Sequence, residues 1–220
     1  MSLHRKPLGY SMTSACGATA LALSLALSSA LEWLSTRTVM EAGFWYDAAA
    51  CELPAAVANA VGGPLDEAEV QAIKRLSLVE LSRAFDGLAV AVTDNRRAFW
   101  RVVVRPSLEH RGPLPNAGEA YGLGPLGGSG SVSFRELALN ALRHAPAQAS
   151  REQVLEGIGR GIGRSAAHEF AHQMLGAAAP HDPEDIGSYE YPTSDRAEQF
   201  YGRLHWSVAA PLLEQKGRRR

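Results

Sequence analysis

Residues 166–176 read Ala-Ala-His-Glu-Phe-Ala-His-Gln-Met-Leu-Gly, and the fold turns on whether His168 and His172 share one helix face. Residues four apart on an α-helix stack one turn above the other, so both imidazoles can aim at one point. Glu169, next to His168 in the chain, then projects to the side. Zinc takes imidazole nitrogen at about 2.0–2.1 Å and brings the pKa of a water it holds from about 15.7 to about 7. A neighbouring carboxylate is a competent base for such a water. Small and apolar flanks, Ala166-Ala167 before and Met174-Leu175 after, set the helix against a core. The plainer alternative is a surface helix with two solvated histidines.

A catalytic zinc normally takes three protein ligands and a water. Downstream, His181, Asp182, Asp185, Glu190 and Asp195 carry suitable atoms. Pro180 stops the helix, after which the chain can fold back, and an imidazole is the commoner zinc ligand. His181 and Glu190 both stand as candidates for the third position.

Upstream, Ser150 with Gln153 forms a capping-box pattern that opens the helix, which runs through Val154, Ile158 and Ile162 over 151–176. Glycines at 157, 159, 161 and 163 each cost about 1 kcal/mol relative to Ala. Close packing on a neighbouring helix is the expected compensation. The run GIGRGIGR is not a phosphate loop, because its flank reads as helix instead of strand and its glycine spacing differs.

Asp66 with Glu69 gives a second capping box. Val70, Ile73, Leu76, Val79 and Ala84-Phe85 then recur at helical spacing and predict a long helix over 66–85. Residues 87–93 and 98–105 are β-branched and short, predicting strands, with Pro106 closing the second. Residues 113–130 are rich in Gly and Pro and predict a loop, followed by a short edge strand over 131–134 and a helix over 137–144. Residues 32–63 are Ala-rich, end at Gly62-Gly63-Pro64, and read as an irregular N-terminal extension.

With 220 residues, 46% hydrophobic and 20% charged, the chain can bury one sizeable core. A net charge of -1 gives no footprint for a nucleic-acid partner. Residues 216–220 form a basic tail expected to be solvated. Near the start, His4-Arg5-Lys6 precedes an uncharged run over 15–31 that ends in Ser28-Ser29-Ala30 before Glu32. Basic, apolar, small is the order of a secretion signal. A membrane anchor through 15–31 and a buried Ala/Leu-rich helix are the alternatives. An exported protein cut near Ala30 keeps only Cys51, so neither a disulfide framework nor a Cys-based zinc cluster can form.

The order of these pieces resembles the metzincins, zinc peptidases of the zincin class, in which a long helix, strands, an edge strand after a Gly-rich loop and the His-Glu-x-x-His helix follow one another. A glycine after the second His then turns the chain to a third His, followed by a tight turn with Met and a last helix. Gly176 and His181-Asp182 match the first of these, and Ser188 to Pro192, then Ser194-Asp195 to Gly202, resemble the second. Two departures stand out. His172 and His181 are nine apart where the family has six, and no Met follows Met174, so Tyr189 or Glu190 stands near the place of the turn's methionine. A Glu190 ligand would correspond to a different zincin subclass. Tyr189 and Tyr191 are candidate oxyanion donors or packing residues, and Asp195 is a cap for the last helix or an orienting partner for a ligand His.

The resemblance implies a zincin-like α/β (α+β) domain over 64–215 with a small, mostly antiparallel or mixed sheet and a long backing helix. It implies a zinc metallopeptidase acting on protein or peptide, with His168, His172 and His181 on zinc (Zn2+) and Glu169 as base. The alternative is a zincin-fold module at the cell envelope that binds protein without cutting it.

Overall fold

Both expected capping boxes form. The Asp66 carboxylate accepts the Glu69 N–H at 2.8 Å while the Glu69 carboxylate accepts the Asp66 N–H at 3.0 Å, opening a helix over Glu67–Ala84. Ser150 and Gln153 exchange the same pair of bonds and open the helix Arg151–Leu175, which Gly176 ends. The structure is a computed structural model that describes residues 39–109, 117–122, 127–176, 197–203 and 209–218. The apolar run 15–31 and the residues 177–196 lie outside the described residues.

The described elements, in order, are β1 (Met40–Tyr46), α1 (Ala55–Val61), α2 (Glu67–Ala84), β2 (Val90–Thr93), β3 (Trp100–Arg105), β4 (Gly118–Gly122), β5 (Gly128–Ser133), α3 (Phe134–Arg143), α4 (Arg151–Leu175), α5 (Ala197–Tyr201) and α6 (Ala209–Arg218). The strands make one mixed sheet in the order β2-β1-β3-β5-β4. Three of its pairings are parallel and only β4 with β5 is antiparallel. Of the two expected forms, mostly antiparallel or mixed, the sheet is the mixed one, with parallel pairings in the majority. Strand direction is set by connections, and the α1–α2 segment carries the chain back to the start of the sheet between β1 and β2.

The expected irregular extension over 32–63 is also corrected. Residues 40–46 form a strand interior to the sheet, with β2 on one side and β3 on the other, and residues 55–61 are helical. The folded unit thus begins near Val39 instead of residue 64. At the other end, α6 runs through Arg218, so the basic tail starts inside a helix.

Parallel neighbours ordinarily need a crossover of a dozen or more residues, yet residues 94–99 alone link β2 to β3 across β1. Stagger makes this possible: β2 pairs with residues 40–43 of β1 and β3 with residues 42–46, so the chain leaves β2 at the level where β3 begins. It passes directly over Gly43, where a Cβ would collide with the Asn95 carbonyl. Glycine is the residue this crossing admits.

Helices cover one sheet face. Met40, Ala42, Phe44, Trp100, Val102, Val104 and Val132 alternate into a core shared with Ile73, Leu81, Ile158, Ile162, Phe170 and Met174. The α4 glycines are compensated as expected. A Cβ at Gly159 would lie 3.1 Å from the Leu76 Cβ and one at Gly163 would collide with the Ser77 carbonyl, so this glycine pair lets α2 approach the α4 backbone. On a second side, Gly157 and Gly161 seat the rings of Tyr201 and Phe200.

Residues 113–130 are not all loop. β4 and the start of β5 fall within them, and β5 is an interior strand, with β4 on the sheet edge. Phe134 belongs to α3, whose N-cap is Ser133.

Candidate metal centre

The motif sits in the second half of α4. His168 and His172 are half-buried, their rings meet edge to face with centroids 4.4 Å apart, and their Nε2 atoms approach to 2.9 Å. Two zinc-bound nitrogens at about 2.0–2.1 Å in a tetrahedral shell stand about 3.3 Å apart. The observed pair needs to open by only about 0.4 Å to reach that geometry. For the two Nε2 atoms to hydrogen-bond at this distance, one must donate and the other accept, so the two cannot both carry a proton on Nε2.

Glu169 is 7% exposed and lies on the sheet side of the helix, against the edge of the sheet. Its carboxylate occupies the space a Cβ would take at Gly118, and its Cβ sits over Gly130. Burial pushes its carboxyl up to about 8, with the nearby Glu119 charge adding to the shift.

One turn further, Gln173 is fully buried and makes two bonds to one backbone residue of β3. Its amide donates to the Arg101 carbonyl and accepts the Arg101 N–H, both at 3.0 Å. Gly128 and Gly130 leave room for it, since a Cβ at Gly128 would stand 2.7 Å from the Gln173 Cγ and one at Gly130 2.8 Å from its Nε2. The glycines of β4 and β5 thus form a floor under Glu169 and Gln173. Sequence reasoning missed Gln173, although its spacing of four from Glu169 marks it as sharing that helix face.

One turn before His168, Arg164 is 4% exposed and pairs with Glu80 of α2 at 2.9 Å. It also donates to the carbonyls of Glu198, Gln199 and Gly202. Gln199 in turn donates to the Ser165 hydroxyl at 2.7 Å. These bonds hold α5 against the middle of α4. Neither Arg164 nor Glu80 was singled out from sequence, because their pairing joins residues 84 apart.

Of the expected site residues, the structure brings His168, His172 and Glu169 together on adjoining faces of one helix. His181, Asp182, Asp185, Tyr189, Glu190, Tyr191 and Asp195 lie outside the described residues. Among the described residues, no group of three or more His, Cys, Asp or Glu gathers. Cys51 is half-buried and unpaired in any disulfide, and His144 stacks on Phe200 at 6.1 Å. No family model matches the chain, and no curated protein matches it.

Proposed function

We propose that the chain is a zinc-dependent peptidase with a zincin-like fold. The observation that carries this reading is the convergence of the His168 and His172 Nε2 atoms to 2.9 Å beside a buried Glu169. The order of elements supports it: the long helix α2, the strands β2 and β3, the edge strand β4 and then, after β5 and α3, the motif helix α4 follow one another, close to the order that the metzincin resemblance implies.

A bound zinc would polarise a peptide carbonyl and bring the pKa of a water to about 7. His168 and His172 would hold it, with His181 as third ligand and Glu190 as the alternative. Beside the charge of that zinc the raised Glu169 carboxyl would shift back toward its ionised form, and Glu169 would then take a proton from the attacking water onto a carboxylate oxygen and deliver it to the departing amine nitrogen. The buried setting and the floor of glycines hold that carboxylate in one orientation. The basic, apolar and small order of residues 4–31 supports action outside the cytoplasm or at a membrane surface.

Metal analysis of the purified chain tests the centre: about one zinc per chain is expected, falling toward zero in His168→Ala with His172→Ala. A stoichiometry near zero in the parent protein would end the zinc reading. Glu169→Gln should retain zinc while losing cleavage of a peptide library that the parent cleaves and a chelator blocks. Equal cleavage by parent and variant would overturn the role of Glu169. Zinc retention without cleavage by the parent would favour the binding-module alternative.

A further inference from the structure

The sheet face away from the helices carries a second candidate site. Strand register lays it out as a bowl. Across one level run Gly43, Arg101, Ser129 and Tyr121, and across the next run Trp45, Val103, Ser131 and Glu119, from β1 through β3 and β5 to β4. The interior positions of the bowl are small or short, while Trp45, Arg96, Arg101, Arg105 and Tyr121 stand around them and enclose a cavity of about 310 Å3. That volume is at the small end of ligand pockets.

The charge of this bowl is out of keeping with the chain. Three arginines and one carboxylate, Glu119, line it, while the whole protein carries a net charge of -1. Two carboxylates at or beside it already accept hydrogen bonds. Glu41 accepts from Thr93 and from the Asn95 amide, and Glu119 meets the Tyr121 hydroxyl. None of Arg96, Arg101 and Arg105 forms an ion pair among the described residues. Arg96 is nevertheless held, its guanidinium lying 5.8 Å over the Trp45 ring. Like charges gathered in a concave site repel, and a bound anion offsets that repulsion.

We propose that this sheet face, which none of the described helices covers, binds a small molecule bearing a phosphate or sulfate monoester. Guanidinium forks match the several oxygens of such a group, and the hydroxyls of Ser129 and Ser131 supply neutral donors beside them. The site is independent of the His168 and His172 centre, which lies on the helix side of the sheet. A free ester and a lipid headgroup present the same oxyanion, and the bowl recognises that shared group.

Calorimetric titration of the full chain with inorganic phosphate, inorganic sulfate and glycerol phosphate tests the site. Saturable binding in the millimolar range or tighter is expected for at least one of them, weakened at least about tenfold by Arg101→Gln with Arg105→Gln. The variant's thermal unfolding and far-UV circular dichroism should match the parent, since both side chains stand outside the core. Ser129→Ala, which changes no charge, should weaken binding less and guards against a charge variant that misfolds. Co-sedimentation with phosphatidate-containing vesicles, compared between the parent and the double arginine variant, separates the two sources. Arginine-dependent sedimentation identifies the headgroup, and ester binding without it identifies the free molecule. Absence of saturable binding to all three probes, or equal binding by the double variant, overturns the proposal.

Discussion

The buried guanidinium of Arg164 on α4 donates to the buried Glu80 carboxylate on α2 at 2.9 Å, and the same side chain holds three backbone carbonyls at and beyond α5. A single residue therefore joins three helices one turn before the first motif histidine. Removing one partner of a buried pair leaves an uncompensated charge and costs about 3–5 kcal/mol. Arg164→Met should fall at the low end of that range, because Arg83 still reaches Glu80 at 2.7 Å. Urea denaturation checks it, and a loss below about 1 kcal/mol would mean the pair contributes little.

Gln173→Leu keeps the volume and deletes both bonds to Arg101. Two buried backbone groups of β3 would lose their partner, each worth about 1–3 kcal/mol, so a destabilisation of about 2 kcal/mol or more is expected. Amide hydrogen exchange offers a local check, since the Arg101 N–H should exchange faster in the variant. Unchanged protection there would mean another group satisfies it.

Glycine replacements in α4 should divide by what faces them. Alanine gains about 1 kcal/mol of helix propensity over glycine. At Gly163 the new methyl would meet the Ser77 carbonyl and the Leu81 N–H, both rigid backbone, and overpacking of that kind costs about 1–3 kcal/mol. Gly163→Ala should lower the melting temperature. At Gly157 the obstacle is the far end of the Tyr201 ring, 2.7 Å from the new Cβ at its hydroxyl. Tyr201 can yield only by stretching its 2.6 Å bond to the Ala141 carbonyl, so Gly157→Ala should lose less.

Two carboxyls give the chelator-treated protein opposite pH dependences. Burial, with Glu119 second, raises Glu169 from 4.5 to about 8, so the folded state favours its protonated form. The stability this contributes is complete below about pH 4.5 and is lost as pH rises through about 8. Glu169→Gln should abolish that decline in stability between the two values. The Arg151 hydrogen bonds lower Glu69 to about 2, so its contribution is present above about pH 4.5 and fades as pH falls toward 2. Denaturation midpoints measured across pH 3–9 on parent, Glu169→Gln and Glu69→Gln check both signs, and a parallel parent and Glu169→Gln profile would refute the first.

What was legible in the sequence was local. Asp66 with Glu69 and Ser150 with Gln153 announce their helices within four residues, and the helical spacing of His168, Glu169 and His172 announces that they share adjoining faces of one helix. What was hidden depends on distant neighbours. β1 alternates Met40, Ala42, Phe44 and Tyr46 inward, but Gly43 at its centre reads as a break until Asn95 is seen passing over it. Gly118, Gly128 and Gly130 read as loop residues for the same reason, since Glu169 and Gln173 are what they accommodate. Strand direction left no local trace, so the parallel sheet could not be read from alternation alone.

The placement of β1 bears on how far the chain can be shortened. A fragment starting at residue 64 would keep the motif helix, its capping box and the glycine floor. It would also leave β2 without a strand neighbour and expose the whole flank of β3 that residues 42–46 cover. Unpaired strand flanks recruit other chains. Such a fragment would therefore be a self-associating species, and any zinc or peptide assay run on it would report on aggregates. The first twenty-odd residues of the folded unit, which look dispensable beside the histidines, act as its safeguard against assembling with itself.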